Sequence, residues 1–401
     1  MTTDLGGRQF RLLTIHCVLW SLAMSLASGF VGAYLLRLGF SIPVTIVLYA
    51  VLLGVRFVMR ALMLPVIRRL GMHKAMLLGT VIAAFQFLPL IRANELPWLA
   101  LWILIISAGE CIYWPICHAA NAVCGGGGGR RGRQIAFRQV ASTFIAVVAP
   151  VAGGIVLTRI GPAAEFGVAT AVCLLSTAPL LWLGDIDLGG IPTLRRSWSV
   201  ADPVGLCAFA ADGWMCAGIG FAWPMILFTT LGSSYDVLGW VSGAAGVAGA
   251  LAGLAGGFAI DRGHRRRLSR GVTVALLLGV MLRVASGWVP WAAFAANTVG
   301  AAVGGVYYPV LMSVVYDRAK RSGSAYQFHL STEAGWDAGA ILGCLATAAV
   351  AWSGVPVTLA VLPAALGVMV LHRCVRAESC AAARVAVATV RRDGEVLPLR
   401  A

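Results

Sequence analysis

The sequence is short of charge. Only 12% of its 401 residues are Asp, Glu, Lys or Arg, against about 25% in a soluble globular protein. Hydrophobic residues make up 59%, more than a soluble domain of this length can hide, because surface-to-volume scaling forces part of them outward. A cytosolic enzyme, a disordered chain and a secreted disulfide scaffold are excluded on these grounds. Catalytic signatures are missing too: there is no G-x-S-x-G, no H-E-x-x-H and no Walker sequence, so no enzyme is predicted. The ten cysteines are scattered through apolar runs and read as small buried hydrophobes. Cys111, Cys117, His118 and Cys124 share one segment but lack the paired spacing of a zinc site. The glycine run ahead of Arg130-Arg131 lacks the GK[ST] ending and preceding strand of a phosphate loop. No metal, nucleotide or other cofactor is expected.

Long apolar runs are what the sequence does have. A spanning helix needs about 20 mostly apolar residues. Twelve segments qualify: 11–35, 42–67, 73–91, 97–124, 134–158, 165–184, 203–231, 236–260, 268–289, 291–316, 325–352 and 355–374. Their length excludes a membrane β-barrel, whose strands alternate over about ten residues. The first run is also too long for the apolar core of a cleavable signal peptide. With the N-terminus in the cytoplasm, the outer loops hold only Arg37, Arg92 and Arg159, and the span interiors, away from their cytoplasmic ends, only Arg56, Arg60, Arg138 and Arg283. All the rest of the 31 Lys and Arg fall on the cytoplasmic side. That asymmetry places both termini in the cytoplasm. It also accounts for the net charge of +15 as a topology signal with some attraction to anionic lipid, so nucleic acid is not an expected partner.

The two halves echo each other at an offset of about 190 residues. Ile112-Tyr113-Trp114-Pro115 matches Val306-Tyr307-Tyr308-Pro309, Gly71-Met72-His73-Lys74 matches Gly263-His264-Arg265-Arg266, and Phe137 matches Phe328. Six spans plus six, both starting on one side, is a parallel repeat about an axis along the membrane normal. The predicted organisation is a six-helix bundle over 1–184, a cytoplasmic linker over 185–202, a second six-helix bundle over 203–374 and a cytoplasmic tail over 375–401. The fold class is therefore an all-α membrane protein of 12 transmembrane helices in two pseudo-symmetric bundles.

At this point the residues resemble the major facilitator superfamily. Gly257-Phe-Ala-Ile-Asp261-Arg262-Gly263-His-Arg265-Arg266 is similar to the family's loop motif G-x-x-x-D-R-x-G-R-[RK]. The first-half copy, Pro65 to Lys74, has lost its acid. Ala149-Pro150-Val-Ala-Gly153-Gly154 in the fifth span resembles the G-P-x-x-G-G motif associated with antiporters, with Ala for the first Gly. The fourth-span arginine motif of proton-coupled drug exporters is absent, and Glu110 stands in that region. The resemblance implies that spans 5 and 8, and spans 2 and 11, meet between the halves. Gly153 and Gly154 would then suit contact with the stripe Gly249, Gly253, Gly257 on span 8. Asp261 would accept hydrogen bonds from Arg or a helix end and latch two helices; a tight turn with topology-setting arginines is the plainer alternative.

Charges inside spans are costly, about 2.5–3.5 kcal/mol each at the bilayer centre on the insertion scale, so they pair or line water. Arg56 and Arg60 are four apart on span 2, and Glu333 and Asp337 are four apart on span 11, so each pair shares a helix face. At 1.5 Å rise per residue, Arg60 and Arg56 lie roughly 10 and 16 Å from the cytoplasmic end, and Glu333 and Asp337 roughly 13 and 20 Å. The depths overlap, and the resemblance puts spans 2 and 11 side by side; together these imply pairing across the interface between the halves, either as a proton-sensitive gate or as a permanent structural bridge. Asp212 and Arg138 count among the charges inside spans, with reaching an interface as the plainer alternative for each.

Glu110 precedes Tyr113, Trp114, Pro115 and His118, and the tenth span repeats Tyr307, Tyr308 and Pro309. Proline inside a span frees a carbonyl, tolerated where a helix lines a cavity. Aromatics from both halves facing that cavity would hold an apolar or cationic solute by stacking and cation–π contact. Each could equally be a packing residue, as could His118 and His329, which could otherwise relay protons.

The expectation is a monomeric, proton-coupled secondary transporter of the bacterial inner membrane, exporting a drug-like compound or metabolite. Its partners are that small solute, protons and the bilayer. The alternatives are uptake of a small organic anion or nutrient, with Arg56, Arg60 or Arg283 as ligands, and a non-transporting receptor or scaffold.

Overall fold

The structure is a computed structural model of the whole chain, and it describes residues 2–124, 131–193, 202–262, 265–289, 291–374 and 376. Among these residues there is no strand. The helices are α1 (Thr2–Arg37), α2 (Ile42–Leu62), α3 (Met72–Leu90), α4 (Leu96–Cys124), α5 (Arg131–Arg159), α6 (Pro162–Leu181), α7 (Pro203–Thr230), α8 (Tyr235–Asp261), α9 (Arg265–Ala285), α10 (Ala292–Arg321), α11 (Ala325–Trp352) and α12 (Val357–Cys374). Eleven of them carry described segments long and apolar enough to cross a membrane. In α9 the side chains of residues 265–267 and 269 lie outside the described residues, and the described remainder is shorter than a span. The chain is a multi-pass membrane protein with the all-helical architecture expected. Large apolar side chains such as Val58, Phe144, Trp240, Leu251 and Phe258 lie exposed on its outside, which suits contact with lipid tails.

Local chemistry sets the helix ends. Proline opens α2, α6 and α7, where its missing N–H is no loss. Asp202 caps α7, accepting from the Gly205 amide at 2.7 Å, and Ser324 caps α11, accepting from the Gln327 amide at 3.3 Å. Asp202 also accepts from Arg318 Nε at 2.7 Å, tying the start of α7 to the end of α10. Burial pushes the Asp202 carboxyl up, but hydrogen bonds from Arg318 and the Gly205 amide outweigh it and hold the group below the ordinary aspartate range. The α5–α6 turn needs Gly161, whose φ of 113° no L side chain adopts readily. In α7 the residues Ala217–Ala222 form a π turn. Pro224 follows it and has no N–H for the Gly220 carbonyl, a local cause for the wider turn.

Helices α1–α6 and α7–α12 pack around a shared centre. The two sets meet along α2 against α11 and α5 against α8, with further contacts of α4 on α10 and α11 and of α1 on α7. The described part of the linker folds back on the second set: the Tyr326 amide donates to the Leu188 carbonyl at 3.1 Å.

Small residues bring backbones together where packing alone must hold helices in lipid. A Cβ on Gly154 would overlap the Tyr235 carbonyl, one on Gly239 the Pro150 carbonyl, and one on Gly246 the Ala146 carbonyl. The α5–α8 seam therefore runs through Gly154, Gly239, Gly243 and Gly246. This corrects the expected partner stripe. Gly249 faces Ala301 of α10, and a Cβ on Gly257 would meet nothing within 4 Å. Gly153 is likewise turned from α8 toward Leu26 and Glu165. The physical reason is the 100° between successive helical residues, which sends adjacent glycines to different neighbours. On α11, Gly335, Gly339 and Gly343 face Leu206, Ala210 and Trp214 of α7. That leaves the acidic face of α11 for α2.

Candidate functional site

A cavity of about 520 Å³ lies between the two sets of helices, within the usual 300–1,000 Å³ of small-molecule sites. Its wall is largely apolar and aromatic, with Tyr49, Trp102 and Trp114 from the first half and Phe209, Phe221 and Trp336 from the second. Contacts between halves flank it at both ends. Toward the linker, His118 Nδ1 lies 3.2 Å from the Tyr316 hydroxyl. At the opposite end Tyr49 stacks on Phe221 with centroids 4.6 Å apart, and Arg37 donates to the Ser233 carbonyl.

One side of the cavity is a cluster of charge. Arg56 Nε donates to Asp337 Oδ1 at 2.8 Å, Arg56 Nη2 donates to the same oxygen, and Arg56 Nη1 donates to Glu110 Oε2. Arg60 Nη2 donates to Asp337 Oδ2 at 2.6 Å. Asp337 is fully buried and takes a guanidinium on each oxygen. Glu333 is held more loosely: its oxygens lie 4.0 Å from Arg60 Nη2 and 3.5 Å from His118 Nε2. The spacing of four on α2 and on α11 turns both pairs toward one another, and α4 adds Glu110 and His118. The structure thus brings together all five residues singled out for gating. Two arginines face three acids, so the cluster carries one acid in excess when His118 is neutral. Removing one partner of such a buried pair costs about 3–5 kcal/mol, because the other charge is left uncompensated.

Trp114, His118 and Tyr308 line the cavity, as do Arg56, Glu110 and Glu333. Tyr113 and Tyr307 do not, which corrects their placement. Tyr113 is buried against Trp20, with stacked rings 3.9 Å apart, and its hydroxyl lies 3.0 Å from His16 Nε2. Tyr307 sits behind the wall and donates to Asp212 Oδ1 at 2.6 Å. In each Tyr-aromatic pair only one residue can face the cavity, since neighbours on a helix diverge by 100°.

Asp212 does not reach an interface. It lines the cavity from the middle of α7 and accepts a second hydrogen bond from Trp336 Nε1 at 2.9 Å. A depth count would have found it, because nine residues from the start of α7 is roughly 14 Å, near mid-membrane. Glu165 and Arg283 have no role in the cavity. Glu165 is buried against Gly153 with neither oxygen hydrogen-bonded, and Arg283 lies over the Trp223 ring with Nη1 donating to the Gly279 carbonyl at 3.0 Å. Of the loop motif, Gly257 and Arg262 are described, and the Arg262 guanidinium lies 6.0 Å from the centre of the Phe258 ring. Gly263 and the side chains of Asp261, Arg265 and Arg266 lie outside the described residues.

The arrangement is that of a two-bundle membrane protein with a central cavity and charges shared between the bundles. The fold is that of the major facilitator superfamily. No family model matches the chain, and no curated protein sequence does. Solved structures match over most of its length. The fucose:proton symporter FucP of E. coli aligns at 16% identity and a TM-score of 0.60, covering 92% of this chain and 98% of that one. A D-xylose-proton symporter aligns at 13% identity and a TM-score of 0.63, covering 92% and 96%. The human organic anion transporter MFSD10 aligns at 15% identity and a TM-score of 0.58, covering 92% and 99%.

Proposed function

We propose that this chain is a proton-coupled secondary transporter that works by alternating access as a monomer, in a bacterial inner membrane with both termini cytoplasmic. The observation that carries this reading is the cluster of Arg56, Arg60, Glu110, Glu333 and Asp337, which bridges the halves beside a central cavity with one acid in excess. A buried cluster with net charge is unfavourable in a low-dielectric site. A proton on Glu333, the most loosely held of the three acids, balances it. Protonation weakens the tie from Glu333 to Arg60 and His118 and eases separation of α11 from α2 and α4; loss of the proton restores it. The symporter names of two of the similar structures support proton coupling as the energy source.

The Pro150-x-x-Gly153-Gly154 element supports export of a drug-like compound or metabolite. Uptake of an organic anion is less well supported. Arg56 and Arg60 are already engaged by acids, and Arg283 does not line the cavity. Cells expressing the chain should accumulate less of some compound in a panel of dyes and metabolites, with accumulation restored by a protonophore. Loss of that difference in Glu333→Gln is expected; an unchanged difference in both Glu333→Gln and Asp337→Asn would remove the coupling role.

A further inference from the structure

The charges that face the cavity are unequal. Among the described residues its lining holds three acids, Glu110, Asp212 and Glu333, and a single arginine, Arg56. That arginine is committed to Asp337 and Glu110. Asp212 stands apart from the cluster. Its two oxygens accept from neutral donors, Tyr307 at 2.6 Å and Trp336 at 2.9 Å, and no described Lys, Arg or His comes within ion-pair distance of it. The Trp336 indole divides the two charge centres: its N–H points to Asp212, while its ring carries Arg56 at 5.0 Å from the centroid. Asp212 is therefore a carboxyl group fixed in place by an indole and a phenol, facing a largely apolar cavity with no counter-ion among the described residues.

Aromatic side chains line the same cavity as that carboxyl group. Phe209 lies less than one turn before it on α7, Phe221 meets Trp336 edge-on at 6.4 Å between centroids, and Tyr49 stacks on Phe221 from the other half. A carboxylate among aromatic faces recognises a cation attached to an apolar body, by ion pairing at one point and cation–π contact around it. An anion would meet three acids and no free arginine.

We infer that Asp212 is the anchor for the positive charge of an organic cation bound in the central cavity, with the aromatic wall holding its apolar part. The inference deepens the transport reading by naming the substrate class, and it separates two duties. Asp212 holds the solute's charge, and Glu333 carries the proton.

The test is binding, which needs no gradient. Purified full-length protein in detergent is titrated at pH 8 with tetraphenylphosphonium and with tetraphenylborate, an anion of the same shape, following tryptophan fluorescence. Wild type should bind the cation and not the anion. Asp212→Asn should weaken cation binding at least tenfold, while Asp212→Glu stays within a few-fold of wild type. Equal binding of both ions by wild type, or unchanged cation binding in Asp212→Asn, would overturn the inference. The wild-type contrast decides the matter even if Asp212→Asn does not fold. Cation binding without proton-driven movement would sink the transport reading and leave this site standing; proton-driven movement of an anion would do the reverse.

Discussion

Asp337 and Glu333 sit one helical turn apart on the same face of α11, yet their surroundings give them different work. Asp337 takes two arginines and is fully buried, whereas Glu333 has only a 4.0 Å approach to Arg60 and a 3.5 Å approach to His118. Neutralising Asp337 leaves Arg56 and Arg60 short of their counter-ion, so Asp337→Asn should destabilise the folded protein by about 3–5 kcal/mol. Glu333→Gln should cost little, because Arg56 and Arg60 keep their hydrogen bonds to Asp337 and Glu110. Thermal unfolding of the purified variants checks this; equal melting temperatures would show that the two acids are equivalent. The pairing of these residues was legible in the sequence, from spacing and depth together with the family resemblance that sets spans 2 and 11 side by side. The role of Asp212 was not, because Tyr307 and Trp336 lie 95 and 124 residues away along the chain and no local pattern links them.

At the scale of the helices, close approach does what hydrophobic drive cannot do in lipid. Gly339→Val would drive a side chain into the Ala210 backbone at the α7–α11 crossing, and Gly154→Val into Tyr235 at the α5–α8 seam. Both should lower the yield of folded protein sharply, while Gly257→Ala, which meets nothing, should not. Yield and monodispersity in detergent measure the difference. Helix capping gives a second prediction. Asp202→Ala should cost about 0.5–2 kcal/mol. Because the folded carboxyl titrates below its unfolded value, the Asp202 contribution is fully present above the unfolded value. It fades as pH falls through the folded one. Acid should therefore narrow the gap between wild type and Asp202→Ala. The existence of the apolar helices was plain from the sequence. Which neighbour each glycine faced was not, since a stripe of small residues does not say which of several surrounding helices it meets.

The whole molecule joins two helix bundles through contacts at both ends of one cavity. The proposed rocking of the halves would break the Arg37–Ser233 contact at one end or the His118–Tyr316 contact at the other. A disulfide between Arg37→Cys and Ser233→Cys, in a background without native cysteines, should arrest transport, and reductant should restore it. Transport that continues through the cross-link would place the moving seam elsewhere. The overall fold could be read from the repeat and the loop motif because topology leaves marks every half-chain. The solute class could not, because it depends on which side of each helix faces the cavity.

The most direct test of the account is proton coupling in proteoliposomes with an imposed pH gradient, following a panel of organic cations and anions. Wild type should concentrate a cation against its gradient, and Glu333→Gln should let it equilibrate without concentrating it. A Glu333→Gln protein that concentrates the same compound as well as wild type does would contradict the account.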